Sequence, residues 1–157
     1  MIACLQPLGA SDAAVSRKRE KEMESLAQHC VLVVDDDSSI RLLLVSALRH
    51  NGYRTLQARN GREALAEMHG GHPDLVLMDL VMPEMSGWEV LRERTSDPAL
   101  LRIPVIVLSA CNIRQVRADV LEKRVCGVIA KPFDLDNVLT TVTDCLENPH
   151  ASGRAAA

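Results

Sequence analysis

Aromatic side chains are almost missing from this 157-residue chain: Trp88, Tyr53 and Phe133 are each the single example of their type. A hydrophobic core must therefore be aliphatic, built from Val, Leu, Ile, Met and Ala. A zinc-thiolate site is also unsupported. The five cysteines stand at 4, 30, 111, 126 and 145, with no CxxC pair and no Cys/His ligand spacing. They read as reduced cysteines acting as small hydrophobes. No apolar run reaches the roughly 18–20 residues that a bilayer span needs. The opening MIACLQPLGASDAA has neither the basic nor the sustained apolar region of a signal peptide. The expected location is the cytoplasm, without membrane insertion. A net charge of −3 argues against direct nucleic-acid binding, which calls for a strongly basic surface.

What remains is an ordinary globular composition, 47% apolar and 25% charged, in a chain long enough for one domain with short flanks. Residues 1–29 form an N-terminal extension, either a solvated tail or a short charged helix over SRKREKEMESLAQH. Residues 30–148 carry a regular pattern, and 149–157 read as a C-terminal tail.

Within 30–148, short apolar runs alternate with helical stripes. Val31 to Val34 suits a strand buried on both faces. Ser38 or Ser39 caps a helix with Ile40, Leu43, Leu44, Ala47 and Leu48 on one stripe, and Asn51-Gly52 stops it. A strand over 53–58 follows. Asn60 and Glu63 resemble a capping box for a helix carrying Ala64, Leu65 and Met68. The third strand, 75–78, runs into Asp79, and Ser86 with Glu89 start the next helix. The fourth strand spans 103–108. A weaker helix over 113–123 precedes a strand over 125–130, and Asp134 caps the last helix. Five β-α alternations predict an α/β fold, a parallel sheet with helices on both faces.

Open sheets of this kind place ligands beyond the carboxyl ends of the strands. The polar residues there are Asp35-Asp36-Asp37 after strand one, Asp79 after strand three, Ser109 after strand four and Lys131-Pro132 after strand five. Crowded carboxylates repel, and a hard cation such as Mg²⁺ relieves that conflict through oxygen ligands. A carboxylate can act as a nucleophile and form an aspartyl-phosphate. Lys131 would neutralise phosphoryl oxygens, and Ser109 would donate a hydrogen bond to one. Taken singly, an Asp run is often a helix start, a Ser a cap and a Lys-Pro a turn; their joint occurrence at successive strand ends is what points to chemistry.

VLVVDDD at 31–37, DLVMPEMSGWEVL at 79–91, LSA at 108–110 and AKPF at 130–133 together resemble the receiver domain of two-component response regulators. The resemblance implies a flavodoxin-like, doubly wound, five-stranded sheet. It implies that Asp79 accepts a phosphoryl group from a sensor histidine kinase or histidine phosphotransfer protein, and that the signal passes to a downstream protein. It also implies Mg²⁺ held by Asp36, Asp79 and the backbone carbonyl of Val81, with Asp35 acting through a bound water. By the same resemblance Ser109 moves toward the phosphoryl group, Lys131 pairs with it, and the Lys131-Pro132 bond is cis. Such a chain is not an enzyme beyond its own phosphorylation and dephosphorylation. With nothing long enough to fold after residue 147, it reads as a stand-alone receiver.

Three positions depart from the family pattern. Val128 stands where receivers commonly carry a Tyr or Phe that swings inward on activation. Val81 and Cys111 flank the site with side chains that orient water poorly, which implies slow self-dephosphorylation. Two other readings compete. A haloacid-dehalogenase-like phosphatase would use Asp35 and Asp37 as its D-x-D pair, but it needs a later acidic motif. A pseudo-receiver would be an interaction module that is never phosphorylated.

Overall fold

The computed structural model describes residues 29–110 and 125–148, together with Val15. The expectations for the rest of the extension, for Cys111, for a helix over 113–123 and for the tail lie outside the described residues.

Five strands form one parallel sheet: β1 (Cys30–Val34), β2 (Arg54–Ala58), β3 (Leu75–Asp79), β4 (Val105–Ser109) and β5 (Val125–Ala130). Their order is β2-β1-β3-β4-β5. The described helices are α1 (Ser38–His50), α2 (Gly61–Gly70), α3 (Gly87–Arg94), the single turn α4 (Pro98–Leu101) and α5 (Leu135–Glu147). Every residue of β1, β3 and β4 is buried, as expected where helices cover both faces. Leu32, Val76 and Met78 face a core completed by Met68 of α2 and Leu91 of α3. Val33, Leu75 and Leu77 face the opposite core, completed by Leu48 of α1 and Val142 of α5. Each fully buried aliphatic chain contributes about 1.5–3 kcal/mol, so two aliphatic cores suffice without aromatic bulk.

Local chemistry at the helix starts differs from the expected pattern in instructive ways. The cap of α1 is neither Ser38 nor Ser39 but Asp37, whose Oδ1 accepts from the backbone N–H of Ser39 at 2.8 Å and of Ile40 at 3.3 Å. A carboxylate caps better here because it also meets the positive end of the helix dipole. The buried stripe of α1 is Leu44, Val45 and Leu48, which turns Leu43 outward to 49% exposure beside Leu42 at 59%. At α2 only half of the capping box forms. Asn60 accepts from the Glu63 N–H at 2.9 Å, but the Glu63 carboxylate binds the Arg59 backbone N–H and Nε instead. The Ser86–Glu89 box of α3 is complete.

The strand expected over 103–108 is β4, 105–109. Ile103 is spent on a turn, its N–H bonded to Leu100 O and its carbonyl to Arg94. That turn includes α4, which the Asp97-Pro98 pair starts by capping and by a proline at the first helical position. Arg94 is wholly buried beneath it. Its guanidinium donates to the carbonyls of Leu100, Leu101 and Ile103, the last at 2.7 Å. Replacing it with an apolar chain would strand those carbonyls away from water. Arg94→Met is expected to lower the unfolding free energy by about 2–4 kcal/mol, measured by chemical denaturation.

Between β4 and β5 the register slips, since Val105 pairs with Val125 but Ile106 pairs with Gly127. Cys126 is the extra residue, and its thiol donates to the Val105 carbonyl at 3.2 Å. Val128 lies beyond the slip, paired with Val107 and buried in the core on the α2–α3 side.

Candidate functional site

Four strands deliver the polar residues to one end of the sheet. Asp35 leaves β1, Asp79 is the last residue of β3 and Ser109 the last of β4, while Lys131 follows β5. Parallel register fixes their neighbourhood: Met78 pairs with both Val34 and Val107, and Ser109 pairs with Ala130. Lys131 Nζ bridges two carboxylates, at 2.7 Å from Asp35 Oδ2 and 2.8 Å from Asp79 Oδ2. Both carboxylates are buried, and the Lys131 side chain is 15% exposed. The Lys131-Pro132 peptide is cis. The Lys131 N–H donates to the Ser109 carbonyl at 2.8 Å, tying β5's exit to the end of β4.

The three aspartates of the run separate into different tasks. Asp35 is inaccessible to solvent, and its Oδ1 accepts from the Asp37 N–H at 2.9 Å. Asp36 is exposed and offers a carboxylate oxygen to the pocket. Asp35, Asp36 and Asp79 bring ligand oxygens within 4.8 Å of one another, the cluster of this kind found among the described residues. Asp37 is committed to capping α1, which removes the second carboxylate on which a phosphatase reading depends. Val81 lies just outside: its N–H donates to Asp79 Oδ1 at 3.2 Å while its side chain is 64% exposed. Ser109 is buried at the neighbouring strand end. An all-oxygen set of three carboxylates suits a hard divalent cation and is a poor match for a soft one.

Gly87 sets how closely α3 approaches the pocket. A Cβ there would stand 2.2 Å from the Asp79 carbonyl oxygen and 2.9 Å from Leu80 Cα, and the Gly87 N–H already donates to Leu80 O at 3.1 Å. In the loop between β3 and α3, Glu84 adopts φ 66°, a left-handed conformation uncommon for a side-chain-bearing residue. One contributor was not visible in the sequence pattern: Arg41 of α1, whose Nη1 donates to the Asp35 carbonyl at 2.6 Å. An arginine one turn into a polar helix face carries no periodic signal of such a role.

Electrostatics follow from this crowding. Burial pushes the Asp35 carboxyl above its ordinary value of 3.8, with the Asp79 charge adding to it, against the opposing pull of Lys131. Burial also draws the Lys131 ammonium down, but its bonds to Asp35 and Asp79 outweigh this and hold it above 10.5. Asp37, Glu63 and Glu89 are held low by the backbone N–H groups they accept from. A raised Asp35 contributes stability that is complete below 3.8 and lost as pH rises through its folded value. The lowered carboxyls contribute stability present above 3.8 and 4.5 and lost as pH falls through their folded values. Metal-free protein should therefore show a thermal midpoint that first rises as pH falls from neutral, then drops in the lower window. A chelated scan from about pH 8 to about pH 3 checks this; a midpoint that only falls would sink the assignment of Asp35.

Comparison with known proteins places the chain in a family. A family model described as the response regulator receiver domain matches residues 31–143. The chain is 38% identical over 117 residues to the regulatory protein AtoC of Escherichia coli, covering 74% of this chain and 25% of AtoC. It thus spans about a quarter of that relative's length. It is 34% identical to the chemotaxis protein CheY of Bacillus subtilis, covering 75% of this chain and 98% of CheY. Among solved structures, the receiver domain of the Francisella response regulator 1452 superposes with a TM-score of 0.72 at 27% identity, over 77% of this chain and 98% of the other. CheY4 of Vibrio cholerae does so at 0.69 and 28%, over 74% and 97%. With an acidic pocket at the ends of a flavodoxin-like sheet and a family match over most of its length, the chain belongs to the response regulator receiver domain family.

Proposed function

We propose that this chain is a phosphoacceptor module of a two-component or phosphorelay system, working in the cytoplasm, with Asp79 as the acceptor. The observation that carries the reading is Lys131 Nζ bridging Asp35 and Asp79 in a pocket that Asp36 completes. The Asp79 carboxylate attacks the phosphorus of a phosphohistidine on a histidine kinase or phosphotransfer protein. The new O–P bond forms as the N–P bond breaks, and the electron pair leaves with the imidazole. Lys131 is already placed to exchange its Asp79 bond for one to a phosphoryl oxygen, and the Ser109 hydroxyl stands at the next strand end to donate to another. Asp36, Asp79 and the Val81 carbonyl would hold Mg²⁺, with Asp35 acting through a water. The ion would neutralise charge on the transferring group. Leu42 and Leu43, exposed on the helix that begins at the pocket, offer apolar surface to the protein carrying the phosphohistidine.

Val81 presents only methyl groups beside Asp79 and cannot orient a hydrolytic water, so the acyl phosphate should outlast seconds. The test is incubation with a small acyl phosphate and Mg²⁺, followed by intact mass and timed decay. One phosphoryl adduct that requires Mg²⁺ supports the reading. No adduct at all points to the pseudo-receiver, and a half-life of seconds defeats the role given to Val81.

A further inference from the structure

Asp36 differs from its two partners in the acidic cluster. Asp35 and Asp79 are buried and share Lys131, whereas Asp36 is exposed and sits in a loop. Something other than Lys131 must hold its carboxylate toward Asp79. The chain is gripped on both sides of Asp36 by one residue. Arg41 Nη1 donates to the carbonyl of Asp35 at 2.6 Å, and the Arg41 backbone N–H donates to the carbonyl of Asp37 at 2.9 Å. The other groups of Asp35 are also engaged: its N–H with Ala58 O at 3.2 Å, and its carboxylate with the Asp37 N–H and Lys131. The Asp35–Asp36 peptide can therefore turn only if the Arg41 bond breaks. That bond is charge-assisted and partly buried, the stronger kind.

We propose that Arg41 is a positioning residue for the divalent cation: it clamps the loop on both sides of Asp36 and aims that carboxylate at the pocket without touching the ion. The inference rests on the reading of the pocket as a Mg²⁺ site. Groups that orient ligands typically change metal affinity by about 10–100-fold when removed. The guanidinium should act the same way on a backbone carbonyl.

The test uses the full chain and measures Mn²⁺ dissociation constants by electron paramagnetic resonance, with Mg²⁺ as competitor. Arg41→Met keeps the aliphatic stem but removes the donor, and should weaken binding by about tenfold or more. Arg41→Lys keeps a charged donor and should recover a substantial part of that loss. In Arg41→Met, raising Mg²⁺ to saturation should return phosphoryl uptake to near the wild-type rate, since the acceptor itself is untouched. Binding by Arg41→Met within about twofold of wild type would overturn the proposal. So would a loss of uptake that saturating Mg²⁺ does not repair. A wild type that binds Mn²⁺ but takes up no phosphoryl group would defeat the proposed function and leave the role of Arg41 standing.

Discussion

Asp79→Asn is expected to abolish the phosphoryl adduct completely while leaving the fold intact. The amide is nearly the same shape, so its oxygen can still accept from the Val81 N–H, and Asp35 alone can retain Lys131. What disappears is the anionic nucleophile. A neutral amide oxygen is a far weaker one, and two of the neighbouring carboxylates are not free to substitute. Asp35 is inaccessible to solvent, and Asp37 is spent on the start of α1. Asp36 is exposed, and it is the residue to watch. An adduct that persisted in Asp79→Asn and mapped to Asp36 would mean that the pocket is right and the acceptor misassigned. Intact mass followed by peptide mapping separates the two outcomes.

Gly87→Ala is expected to disturb the scaffold and the pocket together. The added methyl would meet the Asp79 carbonyl oxygen at 2.2 Å and the backbone of Leu80 at 2.9 Å. These are main-chain atoms at and just beyond the end of a central strand, and they cannot swing aside as a flexible side chain would. Overpacking of a tight site costs about 1–3 kcal/mol and occasionally more. A backbone obstacle puts this substitution at the upper end, about 3 kcal/mol. Relief requires α3 to move off the sheet or Asp79 to shift. A displacement of about 1 Å at a reacting group can cost roughly a hundredfold in rate. Chemical denaturation and the initial rate of phosphoryl uptake should therefore fall together. An Ala variant with unchanged stability would show that the loop between β3 and α3 yields freely.

The frame of this site was readable from residue pattern because it depends on strand periodicity. Apolar runs ending in Asp35, Asp79, Ser109 and Lys131 announced both the sheet and the edge where polar groups gather. The division of labour within Asp35-Asp36-Asp37 was not readable. Three identical side chains in a row differ only in where the turn points them: one inward to Lys131, one toward the pocket, one along the axis of α1. Spacing alone puts Leu43 on the buried stripe, because it does not say which of two adjacent leucines meets the sheet. The roles of Arg94 and Arg41 are not legible in the sequence, for a shared reason. Each acts through backbone carbonyls, and a carbonyl belongs to every residue, so no pattern of side chains marks the partner. The α4 turn did have a signature, in Asp97-Pro98, but a single turn has no periodicity to support it.

The position of β3 in the strand order bears on how the site behaves in time. With β1 on one side and β4 on the other, its amides are bonded within the sheet and shielded on both faces. Fluctuations that fray an outer strand such as β2 leave such a strand paired, so its deuterium uptake should track whole-domain opening. The proposed acceptor, Asp79, is thus mounted on a strand expected to exchange among the slowest in the molecule. The loops at the rim of the pocket can therefore loosen and re-form many times while the Asp79 carboxylate keeps its place.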